Sequence, residues 1–153
     1  AVACKEEIYD AIVDNAPKGA IELFHGYTYS AIPVAVAAGL AVQDIIEKED
    51  IFTRVKELVP YYQKAIFSLK DLDVVDNIRG YGLMAGIDMK LDQKPGKAGF
   101  TCYKHCYEVG VNFKATGDCL IIAPMFISEK KHIDEIVDKL RTGILTYSKN
   151  KKN

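Results

Sequence analysis

The sequence of 153 residues carries almost no net charge, because 20 basic side chains oppose 21 acidic ones. Without an excess of one sign, charge does not indicate nucleic acid or an anionic membrane as a partner. The long uncharged stretch 25–43 is interrupted by Gly26, Pro33 and Gly39, which favours a protein core over a bilayer span. We therefore expect neither a nucleic-acid partner nor a membrane partner.

Cysteine is also scarce. The four cysteines, Cys4, Cys102, Cys106 and Cys119, are too few and too scattered for a disulfide-stapled scaffold in a chain of this length. We expect free thiols, which are typical of a reducing compartment, and hence a cytoplasmic protein.

Complete catalytic motifs are absent as well. The sequence contains no nucleophile elbow, no Walker-type phosphate loop and no pair of metal-ligand motifs with standard spacing. Hydrophobic residues make up 49% of the chain and charged residues 27%, which is ordinary for a soluble domain with one core. Composition and motifs therefore predict a globular domain and no particular reaction.

Apolar periodicity predicts helices in the first half of the chain. Helical spacing covers 5–13 and 51–69, and Pro60 would kink or restart the second of these helices, which should be amphipathic. Residues 34–42 are apolar on every face, and this pattern predicts a buried helix from Pro33 to Ile46.

Turn residues divide the second half into hairpins and helices. Strands are predicted in two hairpins, over 74–79 and 83–89 around Gly80-Tyr81-Gly82, and over 111–115 and 119–123 around Thr116-Gly117-Asp118. One helix should end at Gly110, and Ser128 should cap a last helix before a solvated tail at 149–153. This order predicts an α+β fold, with helices packed on a small, mostly antiparallel sheet.

Four hydroxyl side chains and an imidazole precede the helix predicted at Pro33. Segment 25–30 reads HGYTYS. Backbone N–H groups and the dipole at a helix N-terminus favour an anion, so this segment is a candidate phosphate site. The alternative is that the hydroxyls cap the helix and the aromatic rings pack.

A second candidate is a group of soft metal ligands on one predicted helix. Cys102, His105 and Cys106 share a face of that helix, and Cys119 could add a fourth ligand. Structural zinc sites usually take their ligands from turns with CxxC spacing, whereas helical cysteines are often buried as small hydrophobic residues. We therefore predict no metal.

Three charged residues lie beside predicted strands. Arg79, Lys114 and Asp118 are each either a functional group or a member of a salt bridge or of a solvated strand edge. The residues alone do not decide between these readings.

Segment 24–35, FHGYTYSAIPVA, resembles the HGYTYS-[GA]-HPVA motif of class III aminotransferases, and only Ile32 departs from it. Further segments that resemble this family follow in the expected order, at 37–49, 79–86 and 116–124. Nearly the whole chain is covered. It is most similar to the ω-amino acid:pyruvate type and to the C-terminal part of a family member.

The resemblance implies the C-terminal part of a fold-type I aminotransferase. Residues 1–32 would be a remnant of the large cofactor-binding domain, and 33–153 the connecting helix and the small domain. Segment 5–11 is similar to the family segment just past the cofactor lysine, and the sequence begins without methionine. We therefore expect that the chain starts inside a longer protein and that the catalytic lysine lies upstream. Lys5 is then not that lysine, and no residue of the chain is predicted to be catalytic.

The resemblance also implies pyridoxal phosphate as the cofactor and a homodimer as the assembly. The upstream lysine would form a Schiff base with the cofactor, while Thr28, with Tyr29 beside it, binds the cofactor phosphate of the partner subunit. Lys114 stands where ω-amino acid:pyruvate members have an arginine that binds the substrate carboxylate. A lysine keeps the charge but not the planar two-point geometry of a guanidinium group. Ile32 replaces a histidine, which favours packing over polarity.

Two functions follow from these observations. In the first, the parent protein transfers an amino group from an ω-amino acid, such as β-alanine, to pyruvate, and its small-molecule partners are an amino donor and a keto acid. The chain of 153 residues alone would be inactive because it lacks the lysine. In the alternative, the chain is a non-catalytic interaction module derived from an aminotransferase.

Overall fold

The computed structural model describes residues 3–21, 26, 28–91 and 94–151. Its helices are α1 (Glu6–Asp14), α2 (Pro33–Lys48), α3 (Ile51–Phe67), α4 (Lys97–Glu108) and α5 (Lys130–Lys151), with a 3-10 helix at Ser68–Asp71. Its strands are β1 (Val75–Tyr81), β2 (Met84–Met89), β3 (Lys114–Thr116) and β4 (Cys119–Ile122). The chain divides into two compact units, residues 1–41 and residues 42–153.

The strands form one sheet in the order β1-β2-β4-β3, and each neighbouring pair is antiparallel. Both predicted hairpins are confirmed. Tyr81 pairs with Met84 and Thr116 pairs with Cys119, so each hairpin closes through two residues. The first turn residue in each hairpin is a glycine with positive φ, which glycine adopts without a steric cost. The predicted α+β fold is therefore correct.

Two strand boundaries differ from the prediction. β1 continues through Tyr81, so that the turn begins only at Gly82, where φ is +56°. The residues from 111 to 113 do not begin β3, because Val111 belongs to the end of α4: its N–H donates to the carbonyl of Cys106 at 3.0 Å. Gly110, with φ +88°, donates to the carbonyl of Tyr107, and together these bonds make a Schellman motif. Gly110 therefore ends α4 as predicted.

The core of residues 42–153 lies between one face of the sheet and helices α3, α4 and α5. The strands contribute alternate residues to this face, as expected for period-two side chains: Ile78, Ala85, Ile87, Met89, Leu120 and Ile122. The helices contribute residues three or four apart, among them Tyr62, Ile66, Cys102, Cys106, Ile133, Leu140 and Ile144. Helical and strand periodicity in the sequence thus converge on a single apolar cluster.

Helix α3 is amphipathic as predicted, with buried residues at Ile51, Leu58, Tyr62 and Ile66. It neither stops nor restarts at Pro60, which lies inside the continuous helix. Proline removes the N–H that would bond to the carbonyl of Lys56, and both residues are exposed, so water can bind that carbonyl. The predicted restart at Pro60 is therefore wrong.

Helix α2 forms where it was predicted, but it is not buried. No residue of α2 falls in the buried class, and Val34 and Leu40 are 79% and 63% exposed. An apolar sequence buries a helix only when other surfaces cover every face, and the described part of the chain does not supply them. The prediction of a buried helix is wrong for this structure.

Helix α5 begins two residues later than Ser128, the predicted cap. Glu129 takes that role, because its carbonyl accepts from the N–H of His132 and its own N–H donates to Nδ1 of His132 at 3.0 Å. At the other end, α5 runs to Lys151. The segment predicted as a solvated tail from Lys149 is therefore helical up to Lys151. Among the described residues, no helix is long and apolar enough to cross a membrane.

The hydroxyl of Tyr62 is buried and joins α3 to β4. It donates to the carbonyl of Ile122 at 2.8 Å, and the side chain is 0% exposed. Burial raises the pKa of Tyr62 above its ordinary value of 10.0. The folded protein therefore keeps the phenol proton at a pH where the unfolded chain releases it. This stability is complete below about pH 10 and is lost as the pH rises towards the higher folded pKa.

We expect Tyr62→Phe to lower the free energy of unfolding by about 1–2 kcal/mol near neutral pH, because a buried hydrogen bond is lost. The variant should also lose less stability than the wild type between about pH 9 and pH 11. Urea unfolding at several pH values measures both effects. Tyr81→Phe, at a residue that is 93% exposed, is the control. If the two variants behave alike, the buried bond does not stabilise the fold.

Candidate functional site

The predicted phosphate site begins in a turn directly before α2. Thr28, Tyr29 and Ser30 form this turn and are all exposed. The N–H of Val36 donates to the carbonyl of Ile32 at 3.0 Å, which opens the hydrogen-bond ladder of α2 just after the turn. His25 and Tyr27, which also belong to the sequence motif, lie outside the described residues. The structure therefore places the hydroxyls of residues 28–30 immediately ahead of a helix N-terminus.

The donors around this turn suit a phosphate group. The sequence has no acidic side chain between Gly26 and Gln43, so no carboxylate within this stretch competes for the hydroxyls. The first N–H groups of a helix have no partner within the helix, and the helix dipole places partial positive charge there. Hydroxyl groups and backbone N–H groups without nearby carboxylates are the usual donors to phosphate. The residues present therefore fit a phosphate contact.

A strained residue separates the hydroxyl turn from α2. Ala31 has a φ of +58°, the left-handed region that residues with a side chain rarely adopt. Such conformations cost about 1 kcal/mol or more and are found preferentially at binding and catalytic sites. The φ of Ala31 is thus a second observation, independent of the hydroxyl groups, that points to this turn as a binding segment.

Lys114, the predicted carboxylate-binding residue, is the first residue of β3. It pairs with Ile121, its side chain is exposed, and β3 is an edge strand. Among the described residues it has no carboxylate within ion-pair distance. Lys114 also lines a concave surface of about 230 Å³ together with Phe113, Pro124 and Ile136. Lys114 is therefore an exposed cation beside a largely apolar concave surface. The two predicted site residues lie in different compact units of the chain, Thr28 in residues 1–41 and Lys114 in residues 42–153.

Arg79 is engaged in an ion pair on the face of the sheet that does not carry the helices. Its guanidinium group contacts the carboxylate of Asp88 and lies 3.4 Å from Sγ of Cys119. The bond with Asp88 raises the pKa of Arg79 further, and burial raises the pKa of the Cys119 thiol. Of the two readings left open by the sequence, the salt bridge is the one that the structure has for Arg79.

Asp118 has a structural partner that neither reading anticipated. Its carboxylate accepts hydrogen bonds from the backbone N–H of Gly96 at 2.6 Å and of Gly99 at 3.0 Å. It therefore caps the N-terminus of α4 from a hairpin turn about twenty residues away along the chain. The only local signal was the absence of Ser, Thr, Asp or Asn at the cap position of α4, which Gly96 occupies.

The three residues considered as metal ligands have other surroundings. Cys102 and Cys106 are buried, and a hydrogen bond with Cys106, together with burial, raises the pKa of the Cys102 thiol. Nδ1 of His105 lies 3.2 Å from the carboxylate of Glu108, and Nε2 lies 3.4 Å from the amide of Asn150. In the part of the chain that the structure describes, no cluster of three or more His, Cys, Asp or Glu could hold a metal ion. All four cysteines are free thiols.

Comparison with known proteins places these features in context. The family model described as "Aminotransferase class-III" matches residues 1–144. The chain is 42% identical over 144 residues to an omega-aminotransferase of Caulobacter vibrioides, covering 92% of this chain and 32% of that protein. It is 35% identical over 140 residues to a beta-alanine–pyruvate aminotransferase of Pseudomonas aeruginosa, covering 90% of this chain and 31% of that protein.

Solved structures agree with the sequence matches. The adenosylmethionine-8-amino-7-oxononanoate aminotransferase from Methanocaldococcus jannaschii is similar with a TM-score of 0.74 and 28% identity, over 92% of this chain and 34% of that chain. The chain therefore spans about a third of the length of the proteins that it matches.

Proposed function

Since the chain belongs to the class III aminotransferases, we propose that it forms part of a longer transferase that moves an amino group from an ω-amino acid, such as β-alanine, to pyruvate. The names of two similar proteins, an omega-aminotransferase and a beta-alanine–pyruvate aminotransferase, support this choice of substrates. The observation that carries it is the family match over residues 1–144, which contains both the hydroxyl turn before α2 and the exposed Lys114.

The cofactor in this proposal is pyridoxal phosphate, whose ring takes up the electrons released at the amino carbon. The hydroxyl of Thr28, with Tyr29 beside it, would donate a hydrogen bond to the cofactor phosphate. The dipole at the N-terminus of α2 would favour the negative charge of the phosphate. We place this contact across the interface of a homodimer, so that the chain binds the phosphate held by its partner subunit. The exposed turn and the absence of acidic residues from segment 26–43 support that role.

Lys114 binds the carboxylate of the amino acid in this proposal. Its ammonium group is exposed at a concave surface whose other residues are largely apolar, so it can attract an anion. A lysine offers a single flexible charge instead of the fixed pair of donors that arginine offers. Binding of the carboxylate therefore depends on how firmly the backbone places Lys114.

No residue of this chain is assigned to the covalent step. Lys5 lies at the cap position of α1 and is exposed. We propose that the 153 residues alone are inactive, that 1–32 belong to the cofactor-binding domain, and that 33–153 are the connecting helix and small domain. We further propose that the enzyme works in the cytoplasm, where its four free thiols stay reduced.

An interaction module is the second candidate, because apolar side chains are exposed along the first two helices. Ile8 and Tyr9 of α1 and Val34 and Leu40 of α2 are each more than half exposed. Exposed apolar surface of this kind often marks a protein interface. In the enzyme, the same surface would be covered by the rest of the protein.

Formation of alanine separates the two functions. The full-length protein, supplied with pyridoxal phosphate, β-alanine and pyruvate, should form alanine, measured by chromatography. The chain of 153 residues under the same conditions should form none. A full-length protein that binds the cofactor but forms no alanine from any ω-amino acid would leave the interaction module as the better proposal.

A further inference from the structure

The turn between β3 and β4 is fastened to the start of α4 by one carboxylate. Asp118 accepts from the N–H of Gly96 at 2.6 Å through one oxygen and from the N–H of Gly99 at 3.0 Å through the other. Gly96 is the cap residue of α4 and has no side chain to bond these groups. Asp118 thus supplies, from a distant part of the sequence, the capping interaction that a local Ser or Asp usually makes.

Packing makes the same connection through shape. A Cβ atom at Gly99 would lie 2.3 Å from the carbonyl oxygen of Gly117 and 2.9 Å from Cα of Asp118. Both contacts are with backbone atoms, which cannot move without moving the hairpin or the helix. The carbonyl of Asp118 also accepts from the N–H of Met89 at 2.9 Å. Asp118 therefore joins α4, β2 and the β3–β4 turn at a single residue.

Strand β3 is fastened to α4 at both ends. Before its first residue, the ring of Phe113 packs edge-on against Tyr103 with centroids 5.4 Å apart, and the Tyr103 hydroxyl donates to Oδ1 of Asn112 at 3.0 Å. The strand is three residues long, lies at the edge of the sheet, and pairs only with β4. A short hairpin of this kind is only marginally stable by itself, so its position depends on both fastenings, and Asp118 provides the one at the turn. Lys114 is the first residue of β3, four positions before Asp118. A shift of the turn is therefore transmitted to Lys114 through about 10 Å of extended backbone.

We propose that Asp118 is a positioning residue for Lys114. The carboxylate of Asp118 locks the hairpin to α4 and thereby sets where the ammonium group of Lys114 meets the substrate carboxylate. This inference rests on the proposed function, because it takes Lys114 as the carboxylate-binding residue. The negative charge matters as well as the geometry, since a carboxylate at a helix N-terminus interacts favourably with both the N–H groups and the dipole.

The test uses the full-length enzyme loaded with pyridoxal phosphate and a single half-reaction without pyruvate. Two amino donors are compared. β-Alanine has a carboxylate, whereas propylamine has the same number of carbons but no carboxylate. The absorbance of the cofactor gives the half-saturating concentration and the maximal rate for each donor. The variants are Asp118→Asn, Lys114→Ala and the double variant. Arg141→Ala is the structural control, because it removes an ion pair with Asp71 in the same unit.

Asp118→Asn should raise the half-saturating concentration of β-alanine by about tenfold, as expected for the loss of a charged hydrogen bond. The half-saturating concentration of propylamine should change by less than about twofold. The maximal rates with both donors should stay similar, because only the placement of a charge is altered. Lys114→Ala should show the same selectivity. The half-saturating concentration of β-alanine should be no higher for the double variant than for Lys114→Ala alone, since Asp118 acts through Lys114.

Two outcomes overturn the inference. If Asp118→Asn affects both donors equally, as Arg141→Ala should, then Asp118 has a structural role only. If its effect adds in full to that of Lys114→Ala, the two residues act independently. Failure of the proposed function is separate from both, because it appears in the wild type as an absence of reaction with either donor, or in Lys114→Ala as an unchanged response to β-alanine.

Discussion

Replacing Gly143 by alanine should lower the free energy of unfolding of residues 42–153 by about 2–3 kcal/mol, although alanine is the better helix former. A Cβ atom at Gly143 would lie 2.5 Å from Sγ and 2.7 Å from Cα of Cys106. The second contact is with the backbone of α4, so no rotation of a side chain relieves it. Helices α4 and α5 must move apart, and the core contacts between them are weakened.

Urea unfolding followed by circular dichroism measures this loss. Thr142→Ala is the matched control, because Thr142 precedes Gly143 in the same helix and is exposed. That variant should change the free energy of unfolding by less than about 0.5 kcal/mol. If the two variants unfold at the same urea concentration, the close approach of α4 and α5 at Gly143 does not limit the packing.

Replacing Thr28 by valine should weaken binding of pyridoxal phosphate to the full-length enzyme by about tenfold or more. Valine has nearly the same shape as threonine but lacks the hydroxyl, and a hydrogen bond to a charged group contributes about 1.5–3 kcal/mol. The dissociation constant can be measured by titrating the cofactor-free enzyme and following the absorbance of the bound cofactor. Thr28→Ser, which keeps the hydroxyl, should bind the cofactor almost as tightly as the wild type.

The neighbouring hydroxyl distinguishes a specific contact from a general effect of the turn. Ser30 is exposed and lies two residues away, but we assign it no contact with the phosphate. Ser30→Ala should therefore leave the dissociation constant within about twofold of the wild-type value. An equal loss in Thr28→Val and Ser30→Ala would indicate that the variants disturb the turn, and an unchanged constant in Thr28→Val would remove Thr28 from the phosphate site.

Elements with strong local signals could be predicted from the sequence. The turn glycines, Gly82 and Gly117, are located by the polar turn residues between two apolar strands, and Gly110 is located by the end of the apolar helical pattern. The amphipathic face of α3 repeats every three or four residues, which is sufficient to identify the residues that enter the core. In each case the physical cause lies within about ten residues of the predicted feature.

Features that depend on distant parts of the chain could not be predicted. The capping of Gly96 and Gly99 by Asp118 joins segments that only the folded sheet brings together. The exposure of α2 is of the same kind, because the sequence of a helix states which faces are apolar but not whether any surface covers them. Ser128 was misplaced as the cap for a smaller reason: His132 bonds the N–H of Glu129 and so moves the start of α5.

The candidate site divides in the same way. A continuous motif is the basis for the prediction of Thr28 as a phosphate contact, and the structure adds that the turn precedes a helix and that Ala31 has a positive φ. The role of Lys114 is a prediction from family resemblance alone, because a single lysine near a strand has no chemical signature. What the sequence could not indicate is the set of hydrogen bonds from which we infer a positioning role for Asp118, since its partners lie on α4 and β2.

The reactivity of the two buried thiols on α4 reports transient opening of the core. Cys102 and Cys106 have no exposed surface, whereas Cys4 is exposed. A thiol reagent in water reaches the buried pair only when the core around α4 opens, whereas Cys4 reacts without such an opening. The rate at which Cys102 and Cys106 are modified, relative to the rate for Cys4, therefore reports how often the core opens. This relative rate should rise in any variant that disturbs the contact between Gly143 and Cys106.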